Sequence, residues 1–329
     1  MLCEPHVPAQ RVAQAGSGVI AFTPQEPFLF DPQDFDLFDL QRVPGDAQRM
    51  SRPVDVNGLA IASRSAGNGP PLILLHGFLC DSRCWRTQLE GLSDAFRVIA
   101  WDAPGAGESS DPPEQFTITD WVHCLASFLD AAGVDRAGIV GLSWGGVLAQ
   151  EFYRSYPARV AGLLLADTYA GWKGSFPADD CEKRLQRCLR DSSQPGDEFA
   201  TRWVPEMFTE GAPAELIDEM SIVFREFHPH GFRLMARSLA DTDTTGLLPA
   251  IEVPTLLVWG DDDRRSPKNI AEQLRDGIPK AELVIIPRAG HVSNMEQSEE
   301  FNAHVRRFFS QSLERTARGK PSTRSSHGA

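Results

Sequence analysis

The sequence predicts an α/β fold in which a mostly parallel sheet is flanked by helices. From residue 53 onward, short apolar runs alternate with amphipathic stretches of about 10 to 15 residues. A chain of 329 residues with 42% apolar side chains can bury the core of one large domain that carries an insertion. The candidate strands are residues 72–75, 98–101, 139–140, 163–166, 255–259 and 283–286.

Apolar residues at helical spacing lie between these runs. Trp121, Leu125, Phe128 and Ala132 recur at three- and four-residue steps before Gly133, which predicts a helix that ends at the glycine. Two further helices are predicted by the same spacing at Trp85, Leu89 and Leu92 and at Phe301, Val305, Phe308 and Leu313.

The alternation stops between Gly171 and Leu248, where the charged helical segments 179–190, 214–227 and 232–240 follow one another. This break predicts a helical lid of residues 172–245, inserted in a core formed by residues 51–171 and 246–313.

Both ends of the chain differ in composition from the core. Residues 1–50 contain six prolines and the acidic, aromatic run FDPQDFDLFDL, so we expect a partly disordered extension. The alternative is that this run docks on the body of the protein. Residues 314–329 are small, polar and basic, which predicts a disordered tail.

The net charge of −13 opposes binding to nucleic acids or to anionic membranes. We find no secretory signal in the first twenty residues and no apolar stretch of about 18 residues, the length that spans a bilayer. The six scattered cysteines fit free thiols in a reducing compartment. These features predict a cytoplasmic protein without nucleic-acid or membrane partners, and they do not indicate an oligomeric state.

The segment AGIVGLSWGG contains a GxSxG motif centred on Ser143, directly after an apolar run and before a helix-like stretch. On a sharp strand-to-helix turn, the serine hydroxyl projects into a cleft at a helix N-terminus, where a developing anion is favoured. The alternative is an ordinary glycine-rich turn with a capping serine. The context favours a nucleophile.

A nucleophile that attacks an acyl group needs hydrogen-bond donors for the oxyanion. The run LILLHGF places a strand end beside such a site, and the expected donors are the backbone N–H groups of Phe78 and Trp144. His76 is predicted to be structural. Cys80 and Cys84 lack a second ligand pair at metal-binding spacing, so we predict no metal and no cofactor.

His291 is the candidate general base because it follows an apolar run and Gly290 lets its loop turn toward the cleft. The run WGDDDRRSP offers Asp261, Asp262 and Asp263 as the carboxylate that orients the base, and only one of them can point inward. His228 and His230 flank Pro229 in the lid, where either could line a pocket.

The strand-ending HGF, GLSWGG, WGDDDRRSP and the late GH, in the order Ser, Asp, His, resemble the α/β-hydrolase superfamily over roughly residues 53–313. The resemblance implies a mostly parallel, eight-stranded type of sheet. It also implies that Asp263 is the acid, with Asp167 as the alternative, and that Asp102 and Ser109 shape a turn.

The expected activity is that of a metal-free serine hydrolase acting on a small-molecule ester or enol-lactone, with Ser143, His291 and Asp263 as the catalytic residues. Trp172, Trp203, Phe208 and Phe224 are the candidate pocket residues. Carbon–carbon hydrolysis of ring-cleavage products, cofactor-free perhydrolase activity and a slow-turnover ligand receptor remain alternatives. Serine at residue 143 argues against the epoxide hydrolase and dehalogenase branches, which use aspartate.

Overall fold

A computed structural model describes residues 49–50 and 53–318, with side chains described for residues 53–312. The predicted N-terminal extension with its docking segment, and the tail beyond residue 318, lie outside this part of the chain. Strands β1 to β10 are Arg49–Met50, Val54–Val56, Leu59–Ile61, Ser63–Ala66, Pro71–Leu75, Arg97–Trp101, Ala137–Leu142, Val160–Ala166, Thr255–Gly260 and Ala281–Ile286.

Helices α1 to α11, in the same described residues, are Arg86–Leu92, Ile118–Ala131, Trp144–Ser155, Trp172–Ser175, Ala178–Asp191, Gly196–Trp203, Ala214–Arg225, Pro229–Asp241, Lys268–Gly277, Ser293–Glu296 and Ser298–Arg318. Short 3₁₀ turns lie at Ser82–Trp85, Pro157–Arg159, Val204–Glu206 and Leu248–Ala250. No helix among the described residues has the length and apolar character needed to cross a membrane.

Eight strands form one sheet in the order β1-β4-β6-β5-β7-β8-β9-β10. The six strands β6, β5, β7, β8, β9 and β10 run parallel to one another. β1 and β4 pair antiparallel at one edge. The chain reverses its direction of progress at β5, which lies between β6 and β7. Ligands of open α/β sheets bind at the carboxyl ends of strands at such a reversal, so this edge is where a site is expected.

Helices cover both faces of the sheet. Gly138 of β7 packs against Phe309 of α11, whereas Gly141 lies three residues on and packs against the start of α3. Successive residues of a strand point to opposite faces, so α11 and α3 lie on opposite sides. β7, β8 and β9 are buried along their whole length, as parallel strands covered on both faces must be.

Five helices, α4 to α8, lie between β8 and β9, and we call the residues 172–241 the helical insertion. It contacts the core closely at a glycine pair. A Cβ on Gly231 would lie 2.0 Å from the carbonyl oxygen of Gly105, whose own φ is 86°. The two backbones therefore meet at a distance that only glycine permits.

The structure differs from the predictions at short or polar elements. Strands β1 to β4 were not predicted, because each has only two to four residues and β4 reads SRSA, without an apolar run. Helices α4 and α6 of the insertion were also missed. At the other end, α11 continues to Arg318, past the predicted boundary at residue 313, and the helix breakers Gly319 and Pro321 come only after it.

The glycine contact makes a stability prediction. Gly231→Ala forces the insertion away from Gly105 and should lower the free energy of unfolding by about 1–3 kcal/mol, the usual effect of overpacking, measured from denaturant midpoints. Gly211→Ala is the matched control, because a Cβ there meets nothing within 4 Å. Equal effects of both substitutions would contradict the close contact.

Candidate active site

Ser143 occupies the tight turn between β7 and α3. Its backbone has φ 53° and ψ −116°, a conformation that costs a non-glycine residue of order 1–3 kcal/mol. The backbone holds it there: its N–H donates to the carbonyl of Ala166 at 2.9 Å, and its carbonyl accepts from the N–H of Gly146 at 3.0 Å. The side chain of Thr168 donates to the same carbonyl. The hydroxyl is thus fixed at the N-terminus of a 12-residue helix.

Glycines let the neighbouring segments approach this turn. A Cβ on Gly145 would lie 2.2 Å from the carbonyl oxygen of Leu75, at the end of β5, and one on Gly77 would lie 3.9 Å from Oγ of Ser143. The His-Gly-Phe segment after β5 therefore passes directly beside the hydroxyl.

The structure brings Ser143, His291 and Asp263 into one hydrogen-bonded chain. Nε2 of His291 lies 2.9 Å from Oγ of Ser143, and Nδ1 lies 2.9 Å from Oδ2 of Asp263. A carboxylate can only accept, so Nδ1 carries the ring proton and Nε2 is left to accept from the serine hydroxyl. All three residues are buried; Ser143 and His291 are each 3% exposed.

The other carboxyl oxygen of Asp263 is held by the backbone. Its Oδ1 accepts from the backbone N–H groups of Arg265 at 2.8 Å and Ser266 at 3.0 Å. Its neighbours Asp261 and Asp262 are exposed, so one aspartate of the three points inward, as predicted from the sequence.

Asp167, the alternative acid, does not contact the His291 ring. Its Oδ1 accepts from the N–H of Gly260 at 2.8 Å, and its Oδ2 accepts from the hydroxyl of Ser293 at 2.6 Å. Burial raises the pKa of Asp167 well above its usual value, and the nearby charge of Asp263 raises it further. Asp167 ties the end of β9 to the segment that follows His291, which is a structural role.

Trp144 follows Ser143 directly in the chain, and Phe78 follows Gly77, where a Cβ would lie 3.9 Å from the Ser143 hydroxyl. Within the part of the chain that the structure describes, neither N–H has a hydrogen-bond acceptor. Free donors beside a nucleophile can receive a developing oxyanion.

His76 and Asp102 hold the loops around the site. Nδ1 of His76 lies 2.7 Å from the carbonyl of Gly77, and Nε2 accepts from the N–H of Ala103 at 3.0 Å. Burial lowers the pKa of His76, which fits this neutral ring. Oδ1 of Asp102 accepts from the N–H of Ser82 at 2.7 Å, and Ser109 donates to the carbonyl of Asp102 at 2.7 Å.

The helical insertion contacts the His291 loop directly. The N–H of His291 donates to the carbonyl of Met207 at 2.8 Å. Glu296 accepts from the N–H of Gly290 at 2.8 Å through one oxygen and from the N–H of Thr209 at 2.9 Å through the other, which also accepts from the Thr209 hydroxyl. Sequence reasoning missed Glu296 because it lies on a short polar helix with no motif of its own.

Aromatic side chains of the insertion cover Phe78. The rings of Trp172 and Trp203 meet the Phe78 ring edge-on, with centroids 6.1 and 6.3 Å away. Phe232, which sequence reasoning did not single out, stacks on Phe78 at 5.2 Å.

The other two candidate pocket residues lie farther along the insertion. The backbone of Phe208 packs on Gly290, where a Cβ would lie 3.0 Å from the carbonyl carbon of Phe208. The ring of Phe224 packs against the ring of Phe199 at 6.3 Å, within the insertion.

His228 and His230 fasten the insertion to the loop after β6. His228 Nδ1 lies 2.7 Å from Oδ1 of Asp111, and His230 Nε2 lies 2.7 Å from the carbonyl of Pro112. These contacts give both histidines a bracing role.

A parallel sheet that ends in this serine turn, with a histidine and an aspartate delivered by later strands, defines the α/β-hydrolase class. Residues 72–304 match the alpha/beta hydrolase family, and the chain belongs to that family.

Relatives and solved structures have different names. The chain is 31% identical to a 2-hydroxy-6-oxononadienedioate/2-hydroxy-6-oxononatrienedioate hydrolase of Paraburkholderia phymatum, over 73% of this chain and 87% of that protein. It is 26% identical to 3-oxoadipate enol-lactonase 2 of Acinetobacter baylyi, over 75% and 91%. A malate-bound esterase of Thermogutta terrifontis has a TM-score of 0.73 and 32% identity, over 80% and 98%.

Glu296 makes a testable prediction about the His291 loop. In Glu296→Gln the amide NH₂ replaces one acceptor oxygen, so the N–H of Gly290 or of Thr209 loses its partner. The free energy of unfolding should fall by about 1–3 kcal/mol, the effect of an unsatisfied buried donor, measured by denaturant titration. Glu252→Gln, on an exposed side chain, should change it little; a silent Glu296→Gln would contradict the bracing role.

Proposed function

We propose that the protein is a metal-free serine hydrolase that cleaves a small-molecule carboxylic ester or enol-lactone through an acyl-enzyme on Ser143. The observation that carries the proposal is the continuous chain from Asp263 through His291 to Ser143, with both ring nitrogens at 2.9 Å from their partners. It lies at the carboxyl edge of the sheet, beside two free backbone N–H groups.

The chemistry follows from which atoms carry protons. Nε2 of His291 takes the proton as Oγ of Ser143 attacks the acyl carbon, and the oxyanion forms between the N–H groups of Phe78 and Trp144. The protonated ring then donates to the leaving alcohol or enol. Water, deprotonated by the same nitrogen, hydrolyses the acyl-enzyme. Asp263 stays ionised and keeps the ring oriented.

The setting supports hydrolysis of small molecules. Aromatic side chains of the insertion enclose Phe78 and shield the reacting atoms from bulk water. Electrostatic stabilisation of the oxyanion is stronger in such a water-poor site than in bulk water. The likeness to an esterase and to an enol-lactonase supports the ester and lactone classes. Five free, buried cysteines in the described residues fit the cytoplasm.

Carbon–carbon hydrolysis of a ring-cleavage product is the second candidate, favoured by the likeness to the Paraburkholderia phymatum hydrolase. Turnover of a ring-fission dienoate at a higher kcat/KM than any ester or lactone would select it. Interception of the acyl-enzyme by peroxide faster than by water would select perhydrolase activity. A receptor would show a single turnover with either substrate class.

Removal of the nucleophile tests the proposal. Ser143→Ala should abolish covalent labelling by a fluorophosphonate probe and lower ester hydrolysis to background, because it removes the hydroxyl that contacts Nε2 of His291. Labelling is read by intact mass spectrometry. Ser193→Ala, an exposed serine of the insertion, should label like the parent protein. Persistent labelling of Ser143→Ala would overturn the assignment.

The two buried aspartates can be separated by matched substitutions. Asp263→Asn leaves His291 without its carboxylate and should lower kcat on the order of 10⁴-fold, as in serine proteases. Asp167→Asn changes a group that touches Gly260 and Ser293, so its effect should fall mainly on stability. Steady-state kinetics and thermal unfolding of both variants measure this; a larger loss of kcat in Asp167→Asn would reassign the acid.

A further inference from the structure

Arg265 is a buried arginine with unused donors. It is 8% exposed, and its Nη1 donates to Oε2 of Glu206 at 3.0 Å. Its Nε is completely buried, and neither Nε nor Nη2 has a hydrogen-bond partner among the described residues. Nε and Nη2 form one edge of the planar guanidinium, and such an edge matches the two oxygens of a carboxylate. A buried donor left without a partner is costly, so a carboxylate that reached this unpaired edge would be stabilised there.

Positive charge is in excess around this edge. Arg187 and Arg265 share Glu206, while Arg187 and Arg202 share Asp191. Arg184 donates to the carbonyl of Arg265 and adds a further charge. Four arginines therefore face Glu206, Asp191 and the nearby carboxylate of Asp263, in a chain whose net charge is −13. The insertion and the loop after β9 together hold a local surplus of cations that one added carboxylate would neutralise.

The surplus lies beside the reacting groups. The guanidinium carbon of Arg265 is 5.7 Å from the ring centroid of Phe78, the residue that offers the oxyanion N–H, and 4.9 Å from that of Trp203. The backbone N–H of Arg265 donates to Asp263. The residue thus connects the acid of the hydrogen-bonded chain with the aromatic wall of the site.

We propose that the Nε–Nη2 edge of Arg265 binds a free carboxylate of the substrate, so that the enzyme prefers acidic esters or lactones to neutral ones. This inference rests on the proposed hydrolase function and names the substrate class within it. A role as a brace between core and insertion would use only Nη1 and Glu206. Such a brace would leave Nε and Nη2 without acceptors and would not account for the excess of arginine charge around them.

The test compares two esters of one acyl chain: mono-4-nitrophenyl succinate, which carries a free carboxylate, and its neutral methyl ester. The parent protein should hydrolyse the acidic ester with a kcat/KM at least about tenfold higher. Arg265→Met should lower kcat/KM for the acidic ester by about 100-fold, as the loss of a charge-assisted bidentate contact predicts. The neutral ester should change less than about threefold on the same scale.

Two variants separate charge, geometry and folding. Arg265→Lys keeps the charge but loses the planar edge, so its preference for the acidic ester should fall between those of the parent and Arg265→Met. Arg190→Met removes an exposed arginine from the same insertion and should leave the preference unchanged. Equal losses for both esters in Arg265→Met, with a lowered melting temperature, would make Arg265 a brace and overturn the proposal.

Binding without turnover separates this inference from the reaction class. The Ser143→Ala protein should bind the acidic ester in calorimetry, and Ser143→Ala with Arg265→Met should bind it about tenfold or more weakly. If the parent protein hydrolyses the neutral ester equally well, the carboxylate site is wrong and the hydrolase stands. If no ester is hydrolysed but binding still depends on Arg265, the hydrolase proposal fails and the carboxylate site stands.

Discussion

Three hydrogen bonds within the protein hold the backbone of Ser143 at φ 53°. Its N–H donates to the carbonyl of Ala166, and its carbonyl accepts from the N–H of Gly146 and from the hydroxyl of Thr168. Every other feature of the site is placed relative to this turn. Gly145 lets the end of β5 pass alongside the turn, and His291 and Asp263 follow later strands that end at the same edge of the sheet. A larger residue in place of Gly145 would push the end of β5 away from the serine turn.

Much of this could be predicted from the sequence because the parallel core is written in apolar runs. The six candidate strands lie within β5 to β10. Strands that are buried on both faces, such as β5, β8 and β9, have continuous apolar runs instead of alternating apolar and polar residues. The serine, the histidine and the inward aspartate followed from motifs at strand ends, and the structure places their side chains in one chain of hydrogen bonds. The resemblance already favoured Asp263 over Asp167, and in the structure Nδ1 of His291 contacts Asp263.

What the sequence concealed depends on contacts between distant segments. The antiparallel edge, β1 and β4, is short and polar. The separate hairpin β2–β3 did carry a readable signal in its Asn57–Gly58 turn, where both φ angles are positive. Glu296 and Arg265 act through partners far away in the chain, on the insertion. The sequence shows Arg265 two positions after Asp263, but only the structure reveals that its Nε is buried without a hydrogen-bond partner.

The hydrogen bond between the N–H of His291 and the carbonyl of Met207 joins the helical insertion to the loop that carries the imidazole. Ser143 and His291 are each 3% exposed, so little of either residue meets solvent. Any displacement that carries Met207 outward also frees the loop that fixes the imidazole. The insertion and Asp263 therefore hold the imidazole from two sides, one through the backbone of His291 and the other through Nδ1 of its ring.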